Sequence, residues 1–158
     1  MQVRGLMTRE VVTIAASTSV ADVAQLLVDR HVTSLPVLDE AARLLGIVTS
    51  GDLLARATDE PTIDRPSLWK ENFWQHAANR SHPERDRADG RTAAEIMTRD
   101  VLTLTPDTDL VTAARTLLKH HIRALPVMAG DTLAGIITRH DVLNQIAAHG
   151  DTINPLEH

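Results

Sequence analysis

"GIVTSGD", residues 46–52, and "GIITRHD", residues 135–141, share one skeleton: glycine, isoleucine, a β-branched residue, threonine, and an aspartate three residues further on. The match extends outward. With Met7 placed on Met97, "MTREVVTIAASTSVADVAQLLVDRHVTSLPVL" (7–38) lies over "MTRDVLTLTPDTDLVTAARTLLKHHIRALPVM" (97–128), and 12 of the 32 positions are identical. One residue drops out of the loop near Glu40 to Arg43. After it, Gly46, Ile47, Thr49, Asp52 and Leu54 fall on Gly135, Ile136, Thr138, Asp141 and Leu143. The chain is therefore a tandem duplication of about 52 residues with an intervening segment.

Each copy reads the same way. "VVTI" and "VLTL" are β-branched runs and predict short strands. Ser17-Thr18-Ser19 and Asp107-Thr108-Asp109 are helix N-cap material. Val20, Val23, Ala24, Leu27 and Val28 then recur at helical spacing, as do Leu110, Ala113, Ala114, Leu117 and Leu118, one apolar stripe per copy. "SLPVLD" and "ALPVMA" predict second strands, "LLGIVT" and "LAGIIT" third strands, and a helix follows each. The order is β-α-β-β-α. A unit of about 50 residues buries too little surface to be stable alone. The expectation is an α+β, sandwich-like fold in which two repeats pack through their sheets with pseudo-twofold symmetry. The expected divisions are repeat one at 1–57, an insertion at 58–94, repeat two at 95–150 and a tail at 151–158.

Taken together, Met7-Thr8 and Met97-Thr98, "LPV" at 35–37 and 125–127, and the two "GI-x-T-x-x-D" segments resemble a tandem pair of CBS domains, the Bateman module. Each fragment alone is weak; the full set, twice in the same order, is specific. The resemblance covers most of the chain outside 58–94.

Composition narrows the function classes. Net charge is −5 and the pI about 5.9, with no basic block. That disfavours nucleic acid as a partner, because such binding needs a cationic face. There is no cysteine, so disulfides and thiolate catalysis are absent. No signal-peptide pattern opens the chain and no apolar run approaches a bilayer span, so the expectation is a cytoplasmic protein without a membrane partner. No G-x-S-x-G, phosphate-loop lysine or nucleophile–base constellation is present, so no enzyme is expected. His31, His120 and His121 lack metal-ligand spacing, so no metal is expected. Leu156-Glu157-His158 resembles the start of a histidine tag and is set aside.

Thr49-x-x-Asp52 and Thr138-x-x-Asp141 each sit where a strand ends and a helix begins. Such a segment can be a capping box, threonine and aspartate satisfying the helix start. It can equally present a hydroxyl and a carboxylate to a ligand. The resemblance implies the second role: in CBS pairs the motif aspartate holds a ribose, and its threonine contacts ribose or phosphate. Carried over by position, these are Asp52, Thr49, Asp141 and Thr138. The repeats hold no aromatic residue, so a base would sit between aliphatic walls. The family's matching positions are Val12, Val32, Thr33 and Ser34 in copy one, and Leu102, Ile122, Arg123 and Ala124 in copy two, with Thr8 and Thr98 nearby. The family pairs one copy's wall with the other copy's aspartate. Arg123 replaces Thr33 and His140 replaces Gly51, which makes the Asp141 cleft the better candidate.

The implied ligand is an adenine nucleotide or related adenosyl compound: AMP, ADP, ATP, S-adenosylmethionine or NADH. No cofactor is required. The expected function is regulatory, through an unidentified partner protein, and the family implies a homodimer formed through helices. The alternative is a ligand-free interaction protein docking through the insertion. There "LWKENFWQHAANR" predicts a helix carrying Trp69, Phe73 and Trp74, the chain's only aromatics.

Overall fold

The computed structural model describes residues 1–58 and 91–149; the insertion's residues 59–90, with its three aromatics, and the tail lie outside them. The chain divides into two compact units, one of Val12–Val101 and one of Met1–Val11 with Leu102 onward. They are called here the Asp52 unit and the Asp141 unit. Both are mixed α+β.

In the Asp52 unit, β1 (Ile14–Ala15) runs parallel to β2 (Ser34–Leu38), and β2 runs antiparallel to β3 (Leu44–Thr49). Helix α1 (Val20–Asp29) joins β1 to β2, and α2 (Ser50–Thr58) follows β3. The Ser19 hydroxyl accepts the Asp22 N–H at 3.1 Å and caps α1, as the Ser-Thr-Ser run predicts. The stripe buries Val23 and Leu27 against Ile14, Leu35, Val37 and Val48, while Val28 at the stripe's edge stays exposed.

The Asp141 unit repeats the plan with α4 (Leu110–Lys119), β4 (Ala124–Ala129), β5 (Thr132–Thr138) and α5 (Arg139–His149). Asp109 caps α4 by accepting the Val111 N–H at 3.0 Å. The strand expected over "VLTL" shrinks to a single parallel bridge, Leu104 to Val127. Pro106 stands where copy one has Ala16, and it brings no N–H to extend the ladder. Leu110, Leu117, Leu125, Val127 and Ile137 form the core.

Each unit is completed by the leader of the other sequence copy. Met1 to Thr8 precede copy one but are stitched to copy two: Val3 N–H donates to Thr108 O at 2.8 Å, Leu110 N–H to Met1 O at 2.9 Å, and Arg4 pairs with Asp107. Residues 91–98, with helix α3 (Ala93–Ile96), do the same for copy one: Ala93 N–H donates to Thr18 O at 2.7 Å and Val20 N–H to Arg91 O at 2.9 Å. Val3 and Ala93, at equivalent positions, are both fully buried.

Candidate functional site

The exchanged leaders bring Met-Thr onto the glycine of each opening motif. Thr8 and Ile136 exchange two backbone hydrogen bonds at 2.9 Å, and Thr98 and Ile47 do the same at 2.9 Å. The glycine is needed for this approach. A Cβ on Gly46 would lie 2.6 Å from Thr98 O and 2.8 Å from Met97 Sδ; one on Gly135 would lie 2.8 Å from both Thr8 O and Met7 Sδ. So Thr98 joins the Asp52 unit and Thr8 the Asp141 unit.

Beyond each glycine the strand runs into the threonine. The Thr49 N–H and hydroxyl donate to Asp52 Oδ2 at 2.8 and 3.0 Å, and the Asp52 N–H donates back to Thr49 Oγ1 at 3.2 Å. Thr138 donates to Asp141 Oδ2 from N–H and hydroxyl at 2.7 and 2.8 Å, and Asp141 N–H returns to Thr138 Oγ1 at 3.2 Å. These are two reciprocal capping boxes, with aspartate in the place usually held by glutamate. Each threonine has spent its one proton, so it can offer a ligand only a lone pair. The Asp141 carboxylate is held through Oδ2, and its Oδ1 accepts no hydrogen bond among the described residues. Asp52 is buried, 7% exposed, whereas Asp141 is half-buried. Cap and ligand carboxylate are thus compatible in Asp141: one oxygen serves the helix and the other is open.

The expected walls gather within each unit. Ser34 is register-paired with Thr49, and Ala124 with Thr138. Ser50 N–H donates to Thr33 O at 2.8 Å, and Arg139 N–H to Arg123 O at 3.0 Å. Val12 and Val32 pack partly buried against one core, Leu102 and Ile122 against the other. Thr33, Arg123 and His140 are exposed. The Arg123 side chain makes no hydrogen bond or ion pair among the described residues.

Two features escaped sequence reading. Arg139 donates from Nε to Ile122 O at 2.8 Å and from Nη2 to Leu117 O at 3.4 Å. His31 and His121 stand at φ +52°, each closing a Schellman turn after its helix. His31 N–H donates to Val28 O and Val32 N–H to Leu27 O, at 3.3 and 3.2 Å. His121 and Ile122 repeat this to Leu118 and Leu117 at 3.2 and 3.1 Å. Left-handed positions usually signal themselves by glycine, so histidine hid them. Among the described residues, no group of three or more acidic, cysteine or histidine side chains could hold a metal. Nor is any helix there long and apolar enough to cross a membrane.

A CBS-domain family model matches residues 3–59 and 93–148. The chain belongs to the CBS-domain family. Among curated proteins, it is 36% identical over 137 residues to the CBS domain-containing protein CBSX2, chloroplastic, of Arabidopsis thaliana, covering 80% of this chain and 55% of that one. The chain spans 55–60% of the length of the curated plant relatives it matches. The crystal structure of CBSX2 in complex with AMP is 31% identical, with TM-score 0.70 over 93% of this chain and 96% of that one. The CBS domain pair of protein MJ0100, in complex with 5′-methylthioadenosine and S-adenosyl-L-methionine, gives TM-score 0.71 at 22% identity, covering 94% and 97%. At that identity the likeness is one of fold.

Proposed function

We propose that this CBS pair binds an adenosyl ligand and reports its occupancy to a partner protein. One observation carries the reading. Thr138 aims Asp141 through Oδ2 and leaves Oδ1 open, as a ribose diol requires of its acceptor, in a chain 31% identical to a protein crystallised with AMP. In this reading Asp141, Thr138 and Thr8, and correspondingly Asp52, Thr49 and Thr98, hold the sugar. Val12, Val32, Thr33 and Ser34 of copy one and Leu102, Ile122 and Ala124 of copy two offer the walls, and Arg123 and His140 face anionic groups. The candidate ligands are AMP, ADP, ATP, S-adenosylmethionine and NADH. The chain performs no chemistry on them, and its setting is the cytoplasm.

A regulatory output requires a partner that prefers the occupied or the empty state. Self-association belongs to the same reading. Val28, Leu54, Leu118 and Leu143 are 67%, 65%, 67% and 59% exposed, at equivalent helical positions in both copies. Four large apolar side chains so repeated suit a homodimer formed through helices.

The test is a thermal-shift panel of the five ligands at millimolar concentration. A ligand at 100 times its Kd adds about 2.7 kcal/mol, an increase of roughly 5–10 °C in Tm at this chain length. That shift, lost in Asp141→Ala, supports the sensor. No shift with any ligand leaves both motifs as helix caps and moves attention to the aromatic insertion as a docking element.

A further inference from the structure

Both motif threonines are followed by a residue whose backbone N–H binds the wall of its own copy: Ser50 to Thr33 O, Arg139 to Arg123 O. In copy two the side chain joins in. Arg139 Nε reaches Ile122 O at 2.8 Å and Nη2 reaches Leu117 O at 3.4 Å, while Ser50 has no guanidinium to do so. Arg139 stands in the first turn of α5, where the helix dipole disfavours a cation. Its charged group lies instead against carbonyls at the end of α4, where a cation is favoured. Leu117 O already accepts the Ile122 N–H that closes the Schellman turn. Arg139 therefore fastens the turn, the wall residues Ile122 and Arg123, and the start of the Asp141 helix into one piece. Its guanidinium is engaged by the protein, which distinguishes it from Arg123.

We infer that Arg139 is a positioning residue that orders the Asp141 half-site by tying the wall at Ile122–Arg123 to the helix that carries Asp141. The inference rests on the ligand-binding reading above. It also deepens that reading, because it makes the Asp141 half-site the pre-organised one and says how. A positioning role acts on the whole ligand; a direct contact from an arginine acts on a phosphate.

The experiment is calorimetric titration of AMP and of adenosine into the full chain, with Arg139→Ser, which copies the first repeat, and Arg139→Lys. Amide exchange over 121–124 is followed in parallel. The expected result is a loss of ~5-fold in affinity for AMP and for adenosine alike in Arg139→Ser, the size of one or two net hydrogen bonds. A smaller loss is expected in Arg139→Lys, which keeps the charge but not the fork. Exchange at 121–124 should be faster in Arg139→Ser. A loss confined to AMP overturns positioning in favour of phosphate contact, and unchanged affinity or unchanged exchange also overturns it. If the unaltered chain binds neither compound, the ligand-binding reading falls, and the inference with it. The two failures are told apart by the wild-type titration.

Discussion

The two units share a plan and differ at its working end. Around Asp52 the neighbours are Thr33, Ser50 and Gly51; around Asp141 the same positions hold Arg123, Arg139 and His140. Asp52 is buried and Asp141 is half-buried, although both carry the same three-bond cap. Duplication fixed the backbone geometry twice, and divergence then acted on side chains around it. What both units keep is the threonine–aspartate cap and the leader docked on the motif glycine. What only one has is where function is to be sought.

The largest effect should come from breaking what they share. Gly46→Ala and Gly135→Ala drive a methyl into a backbone carbonyl of the Met-Thr leader, which no rotamer change relieves. Each should cost about 2–3 kcal/mol in urea unfolding, after the smaller gain from restricting the unfolded chain. Gly46→Ala should be the worse, since its new atom would meet Thr98 O at 2.6 Å against 2.8 Å for Gly135 and Thr8 O. Equal stability to wild type would mean that the leaders are not held on these strands.

Next comes the aspartate pair, which separates cap from ligand group. Asp52→Ala removes a buried carboxylate and leaves the half-buried Thr49 N–H without its partner, and should destabilise by about 1–2 kcal/mol. Asp141→Ala removes the same bonds from a half-buried site, where water can replace them, and should cost about 1 kcal/mol or less. In the ligand panel the order should invert, with Asp141→Ala erasing the AMP-dependent shift. A ligand shift that survives Asp141→Ala and is lost in Asp52→Ala would reverse the assignment of the two half-sites.

Much of this was legible in sequence because the repeat is a pattern with physical period. Val20 to Val28 and Leu110 to Leu118 announced α1 and α4, and Ser19 and Asp109 cap them as expected. The T-x-x-D segments announced helix starts, and both caps are formed. What stayed hidden depends on long-range placement. An offset alignment puts Met7-Thr8 with copy one, yet no local rule says that the leader docks on copy two. The signal was the glycine itself, whose missing Cβ records a close approach without naming the visitor. Arg139 was hidden because its partners are carbonyls 17 and 22 residues away, and carbonyls carry no sequence identity.

A smaller effect tests a shared strain. His31 and His121 hold a left-handed conformation that glycine adopts without cost. His31→Gly and His121→Gly should each raise stability by about 0.5–1 kcal/mol, the steric relief exceeding the added unfolded-state entropy. The gains should match within a few tenths, because both turns make the same two bonds. A gain at His31 and a loss at His121 would mean that the second imidazole does something besides closing a turn.

The smallest effect separates the loops between the last two strands of each sheet. In copy two, Gly130 at φ +63° and Asp131 form a two-residue turn between Ala129 and Thr132, and the glycine alone supplies the geometry. In copy one the loop is longer and places Ala42 at φ +59°. There Asp39 holds the loop, accepting the Arg43 N–H at 2.8 Å and Arg43 Nε at 3.1 Å. The Arg43 backbone N–H foremost, with the Arg43 charge, lowers the Asp39 pKa below its ordinary 3.8. A carboxyl whose folded pKa is depressed binds protons more weakly folded than unfolded. Its contribution is therefore present above the unfolded value and is lost as pH falls through the folded one. The carboxylate sits in a surface loop beside an exposed arginine, so the contribution is slight and screened by salt. Comparing Tm of wild type and Asp39→Asn from pH 6 down to pH 2 should show a small wild-type advantage that begins to shrink near pH 3.8 and then vanishes. An advantage that grew on acidification would mean that the carboxylate is strained in its loop, and that copy one keeps the loop for something other than stability.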